Sequence, residues 1–266
     1  MKLRRAWAIT LRQLYLYRDN PTRFWQMFVW VTVDLVIWGF ITKYLTTVVA
    51  PDFGVVQVFL GAAILWGFVL RTMQGVTTSF LEDVWSKNFL NLFGSPLQTS
   101  EYILGLVFAS IIGGVLVLSA MLALASVAFG VAMFSLGASL IPFLLILFLF
   151  GIALGIFGLS IVLRLGPIAE WLVWPIPAVL NPFVGVFYPV STLPEWMQFV
   201  SHMLPPSYVF EGMRSIMNGG AFSLMPLAFG GALAVLWLLL AYWFFAVTYR
   251  KVVKNGLIAR FEAEGP

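Results

Sequence analysis

Cysteine is absent and histidine occurs once, as His202, in a chain of 266 residues. Without thiols there is neither a disulfide framework nor a thiolate metal site, and a single imidazole excludes a haem bundle with paired axial histidines. Charge is scarce as well, at 10% of residues, against roughly 25% in soluble domains. No Gly-x-x-x-x-Gly-Lys-Ser/Thr stretch occurs. The phosphate cradle of that ATPase class is therefore missing, and the chain is expected to be no enzyme and to bind no cofactor or metal of its own. Clusters of histidine and acid that would serve a membrane-embedded enzyme are lacking too, and nothing points to nucleic acid. The basic start (Lys2, Arg4, Arg5, Arg12) leads into no short apolar region with a small-residue cleavage site, so no cleaved signal peptide is expected.

What fills the chain is apolar: 61% hydrophobic and 17% aromatic residues, with a mean hydropathy of +0.98. Such a chain is an integral membrane protein, with room for several spans of about 20 residues and almost nothing left for a soluble domain. We therefore expect a single all-α transmembrane domain over residues 1–266. Six apolar stretches stand out, at about Phe24 to Tyr44, Val55 to Phe80, Tyr102 to Phe129, Leu136 to Leu163, Ile168 to Tyr188 and Phe222 to Val247. An even number of crossings puts both termini on one side. Twelve of the Lys and Arg residues fall on that side, in the first 23 residues, at Lys87 and Arg164, and in the tail; Lys43 and Arg214 fall on the other. The positive-inside rule then predicts cytoplasmic termini and a cytoplasmic loop between spans two and three.

Three elements lie outside the spans. In residues 1–20, Leu3, Trp7, Leu11 and Leu14 form a helical stripe opposite Arg5 and Arg12, as in a helix lying in the headgroup plane; Asp19-Asn20-Pro21 ends it. In residues 79–101, Leu81, Val84, Trp85 and Leu92 recur at helical spacing, with Asp83, Ser86 and Lys87 largely opposite. A short amphipathic helix is predicted there, stopped at Gly94-Ser95-Pro96. Glu82 and Asp83, near its start, would favour the positive end of its dipole. In residues 189–220, Thr192-Leu193-Pro194-Glu195 reads as a capping box that opens a helix to about Leu204. Pro205-Pro206 ends it, and a second helix carries Tyr208, Phe210 and Arg214 until Asn218-Gly219-Gly220. Both helices are too short to span, which predicts a re-entrant pair. Pro194, Glu195, Trp196, His202 and Arg214 are its candidate functional residues.

Inside the apolar runs, Asp34, Arg71 and Glu170 are costly unless partnered. Asp34 lies about 16 Å and Arg71 about 12 Å from the cytosolic ends of their runs. They are level enough to pair, or Arg71 snorkels to headgroups while Asp34 bonds a hydroxyl of Thr32 or Thr42. Gly151, Gly155 and Gly158 place small residues on one stripe, a pattern for close helix packing. Pro175, Pro177 and Pro182 predict a kinked or broken fifth span.

Two motifs carry a family resemblance. "NLFGSPLQTSEYILG" (Asn91 to Gly105) and "YPVSTLPEWMQFVSHMLPPSYVFEGMRSIM" (Tyr188 to Met217), in this order with the spans around them, resemble the permease subunit of the ABC exporters' type-2 class. The resemblance implies that the loop after span two is a coupling helix docked on a separate ATP-binding subunit, with Glu82, Asp83, Trp85, Asn88, Leu92, Ser95 and Pro96 in the contact. It also implies a homodimer with two such subunits, which hold ATP and Mg, in a bacterial plasma membrane among lipids. The external pair would roof the exit, and the substrate would be amphipathic, lipid-linked or drug-like. An ATP-independent channel or secondary transporter is the alternative.

Overall fold

The computed structural model describes residues 3–48, 53–86, 88, 92, 94–130, 137, 140–217, 219–220 and 223–255. Lys2, Lys87, Leu136, Asn218, Phe222 and Arg260 lie outside them. Among the described residues the chain is helical, without strands. In order the helices are α1 (Leu3–Asp19), α2 (Pro21–Val48), α3 (Phe53–Trp85), α4 (Thr99–Phe129), α5 (Leu140–Leu165), α6 (Glu170–Val173), α7 (Ile176–Val184), α8 (Glu195–His202), α9 (Pro205–Met217) and α10 (Leu224–Lys254). Five of them, α2, α3, α4, α5 and α10, are long and apolar enough to cross a membrane.

The fifth stretch is not one helix. A 3₁₀ turn at Pro167–Ala169, α6 and α7 follow one another, and Gly185 ends the last in the left-handed region at φ +67°. Pro175 caps α7, Pro177 opens it and Pro182 lies inside it. Each proline removes an amide donor, and a proline ring also clashes with a turn that precedes it, so α7 starts afresh at Pro175 and Pro177, where the first turn tolerates them. The predicted break is therefore present, and sharper than a kink.

At the centre, α5 packs against α3 on one side and α10 on the other. The glycine stripe makes this approach close. A Cβ at Gly151 would stand 2.8 Å from the Thr72 Cβ, one at Gly155 2.8 Å from the Val76 Cβ, and one at Gly158 2.5 Å from a Val173 methyl. Gly155→Val should accordingly push α3 from α5 and cost about 1–3 kcal/mol. Gly231, where a Cβ would meet only Ile146 at 3.9 Å, supplies the control: Gly231→Ala should leave the unfolding temperature in detergent nearly unchanged. Equal losses in the two variants would contradict the packing account.

At the periphery, α2 and α10 leave most apolar side chains exposed, among them Trp25, Phe40, Leu239 and Trp243. The first helix docks on α4 through a narrow face. Ala6, Ile9, Thr10 and Gln13 are buried, and Gly105 admits them so closely that a Cβ there would lie 2.6 Å from the Ile9 Cβ. Leu3 and Trp7, from the predicted stripe, stay 65% and 49% exposed. The protein therefore covers a small, partly polar face of α1, half-buries Leu11 and Leu14 of the stripe, and leaves Leu3, Trp7, Tyr15 and Leu16 open.

Candidate functional site

The α3–α4 connection sits against α1 and the start of α2, and three arginines hold it there. Glu82 and Asp83 do not open an exposed helix, as the sequence predicts; α3 runs on to Trp85 and carries both on its last two turns. Carboxylates are unfavourable at this end of a helix dipole, and they need cations. Arg23 supplies one to Glu82 and Arg12 one to Asp83. Arg23 also donates to Gln13 Oε1 (3.0 Å) and lies 4.4 Å above the Tyr17 ring. Asp83 is fully buried and accepts from the Tyr102 hydroxyl at 2.6 Å. Burial works to lower the Arg12 pKa, but the hydrogen bond and charge of Asp83 outweigh it, and the net shift is upward.

The far end of the connection is pinned in the same way. Arg5 donates to the Pro96 carbonyl and lies 3.5 Å from Glu101. Glu101, in the first turn of α4, accepts from the Gln98 amide at 3.1 Å. Between these anchors the winding continues in part: the Ser86 amide bonds Glu82 O, the Asn88 amide bonds Asp83 O and the Leu92 amide bonds Asn88 O. Trp85, Ser95 and Pro96 remain exposed, while Asn88 and Leu92 are half-buried.

Beside this collar, α2, α3 and α4 border a half-open cavity of about 410 Å³. Arg23, Gln26, Met27, Trp30 and Asp34 line it from α2, and Arg71, Gln74, Gly75, Thr78 and Glu82 from α3. Leu70 of α3 lines it too; apart from Leu70 the two sets have the same spacing, i, i+3, i+4, i+7 and i+11, on helices that run in opposite directions. Eleven residues are three turns, about 16 Å. Each end of the cavity therefore holds one acid and one arginine with the helices' roles reversed: Arg23 with Glu82 at one end, Asp34 with Arg71 at the other. Only the first couple forms an ion pair among the described residues. Arg71 donates to Gln74 Oε1 at 2.8 Å. Thr42 gives its hydroxyl to the Trp38 carbonyl rather than to Asp34. Asp34 and Arg71 act on each other's charge but stand beyond ion-pair distance, no Asp34–Thr42 bond is present, and both side chains line the cavity.

The other expected residues lie elsewhere. Glu170 is half-buried at the start of α6. Thr192 belongs to a 3₁₀ turn and donates to the Pro189 carbonyl, so it caps no helix; Pro194 stands at the N-cap of α8, followed by Glu195. Trp196 sets its ring edge-on to Phe183 of α7, 6.0 Å between centroids. His202 is exposed; its carbonyl accepts from the Tyr208 hydroxyl, and its ring lies tilted against the Tyr208 ring, 6.4 Å between centroids. Arg214 is buried and donates to the Val186 carbonyl (3.3 Å) and to Glu211 (2.9 Å).

A family model described as ABC-2 type transporter matches residues 4–218. The chain belongs to the ABC-2 type transporter family. It is the transmembrane permease of an ABC transporter, an integral membrane protein that serves transport rather than catalysis, and permeases of this family typically work with an ATP-binding subunit. The match runs from α1 through α9, so the collar, the polar cavity and the short helices α8 and α9 all fall within it. No curated protein matched the chain.

Proposed function

We propose that this permease is one half of a homodimeric, ATP-driven exporter in a bacterial plasma membrane, with both termini in the cytoplasm. The observation that carries the reading is the anchored connection between α3 and α4. It is held at both ends by ion pairs to α1 or α2, yet keeps Trp85, Ser95 and Pro96 exposed. A loop so fixed transmits a push from a docked subunit to α3, α4 and α1 together, where a floppy loop would absorb it. The docking surface on this reading is Trp85, Asn88, Leu92, Ser95 and Pro96, with Glu82 and Asp83 as its anchors.

The charge bias of the sequence supports the cytoplasmic side for this surface. Counting the broken α6–α7 segment as a crossing gives the sixth span, and α8–α9 then form the external re-entrant pair. The exposed apolar side of α2 supports a second copy beside it, since a two-fold pair buries the same patch twice. ATP and Mg would be held by the partner subunit, and the substrate would be an amphiphile.

The cysteine-free chain gives a direct test. Ser95→Cys should react with a membrane-impermeant maleimide only from the cytoplasmic side, and should be shielded when a co-purifying ATPase is bound. Ser191→Cys and Gly219→Cys should react only from outside. Labelling of Ser191→Cys and Gly219→Cys from opposite sides would overturn the topology. A purified chain that transports with no ATPase attached would favour a channel or secondary transporter.

A further inference from the structure

The polar cavity continues into a second one. Between α1, α2 and α4 lies a space of about 440 Å³ walled by Leu14, Arg18, Pro21, Phe24 and Leu116, and Tyr17, Met27 and Gly113 line both. One compartment is charged and hydrogen-bonding, and the adjoining one is mainly apolar, with Arg18 the charged residue on its wall. We propose that together they form the binding site of a zwitterionic amphiphile, its amine against Asp34, its phosphate or carboxylate against Arg71, and its chain in the apolar compartment. This deepens the exporter reading by naming the class of molecule the permease takes up.

The charges decide the class. Arg23 and Glu82 satisfy each other, which leaves Asp34 and Arg71 as the charges of the polar compartment outside any ion pair among the described residues, within reach of each other's field but not in contact, and Arg18 on the wall of the second compartment. A charge inside the membrane is costly unless something complements it. A simple anion would be drawn to Arg71 but repelled by Asp34, and a simple cation the reverse. A neutral head group would neutralise neither. A head group that carries both signs meets both at once. Arg71 spends one donor on Gln74 and keeps others, in a planar fork suited to two oxygens of one acid. Trp30, 58% exposed on the cavity wall, offers an aromatic face near Asp34 for the ammonium.

Native mass spectrometry of the purified permease in neutral maltoside detergent, without the ATPase, tests the site. The probes are lysophosphatidylethanolamine, zwitterionic, and lysophosphatidylglycerol, anionic with a similar chain. Wild type should bind the zwitterion at least about ten-fold more tightly, one charge-assisted contact's worth. Arg71→Gln should lose about that factor for both probes. Asp34→Asn should abolish the preference by admitting the anion. Equal affinities in wild type, or a preference that persists in both variants, would overturn the proposal; the wild-type comparison stands even where a variant fails to fold. With the ATPase in vesicles, ATP-dependent movement of the zwitterion between leaflets marks it as cargo, and binding without movement marks it as a resident bilayer lipid, the site standing in either case. Because binding is read without ATP, a failure of this site is separable from a failure of the exporter reading.

Discussion

Asp83→Ala is expected to lower the thermal unfolding temperature in detergent by roughly 10 °C, the largest loss of any single substitution in the collar. The carboxylate is fully buried and serves two partners, the Arg12 guanidinium and the Tyr102 hydroxyl. Its removal strands a positive charge and takes the Asp83 acceptor from a phenol that is itself 1% exposed. Breaking a buried pair by deleting one partner typically costs about 3–5 kcal/mol. The Arg12 side chain keeps 29% exposure and can turn partly to water, which favours the lower half of that range. Removing the charge from both partners, Asp83→Asn with Arg12→Gln, should recover much of the loss, with a coupling energy above about 1 kcal/mol. Glu82→Gln should do less, because Glu82 is partly exposed and Arg23 retains Gln13 and the Tyr17 ring. Strictly additive effects of the Arg12 and Asp83 changes would show that the pair carries no energy.

A second reading of the same variant concerns coupling. If the α3–α4 connection is the docking surface, Asp83→Ala releases its α3 end from α1 while Arg5 still holds the other end, without altering Trp85, Ser95 or Pro96. ATPase association should then survive while ATP-driven transport falls. An exposed contact residue behaves in the opposite way: Pro96→Ala or Trp85→Ala should weaken association first.

The sequence shows well what depends on local pattern. Long apolar runs announce α2, α3, α4, α5 and α10, because hydrocarbon admits only backbone that satisfies itself. The prolines announce the break at α6–α7, and the spacing of Gly151, Gly155 and Gly158 announces close packing. The collar is hidden, because its pairs join residues 59 and 71 positions apart, and no local period reports on such contacts. The local signal at Glu82 and Asp83 even misleads. The amphipathic pattern of Leu81, Val84 and Trp85 is real, but it belongs to the end of α3, so the dipole argument takes the opposite sign. The polar cavity was within reach, since positions 23, 26, 27, 30 and 34, and 71, 74, 75, 78 and 82, form two stripes of matching period. Read together, they place Asp34 and Arg71 in one polar groove and not as isolated charges.

Arg214→Met is the other substitution with a large expected effect, at the opposite end of the bundle. Gly185 turns the chain sharply out of α7, and the segment that follows must be held before α8 begins. Arg214 reaches from α9 to the Val186 carbonyl, and its partner Glu211 accepts from the Val190 amide at 2.7 Å. One arginine therefore fixes both ends of residues 186–190, directly at one and through Glu211 at the other. Its side chain is 10% exposed, whereas Glu211 is 46% exposed, so the loss of the arginine leaves the acid solvated. The cost is then the charge-assisted bonds themselves, about 1.5–3 kcal/mol. Lysine would not replace it, because a single ammonium cannot reach two acceptors as the planar guanidinium does. Glu211→Gln should be milder, as its amide oxygen can still accept from Val190, and His202→Ala milder again, since the hydrogen bond is to the His202 carbonyl and the exposed ring loses only a tilted contact with Tyr208. The readout is thermal unfolding together with proteolysis between α7 and α8. Arg214→Met should speed cleavage there and His202→Ala should not. If Arg214→Lys unfolds and cleaves like wild type, the two-ended clamp is wrong, and Arg214 is merely a cation at a wet interface.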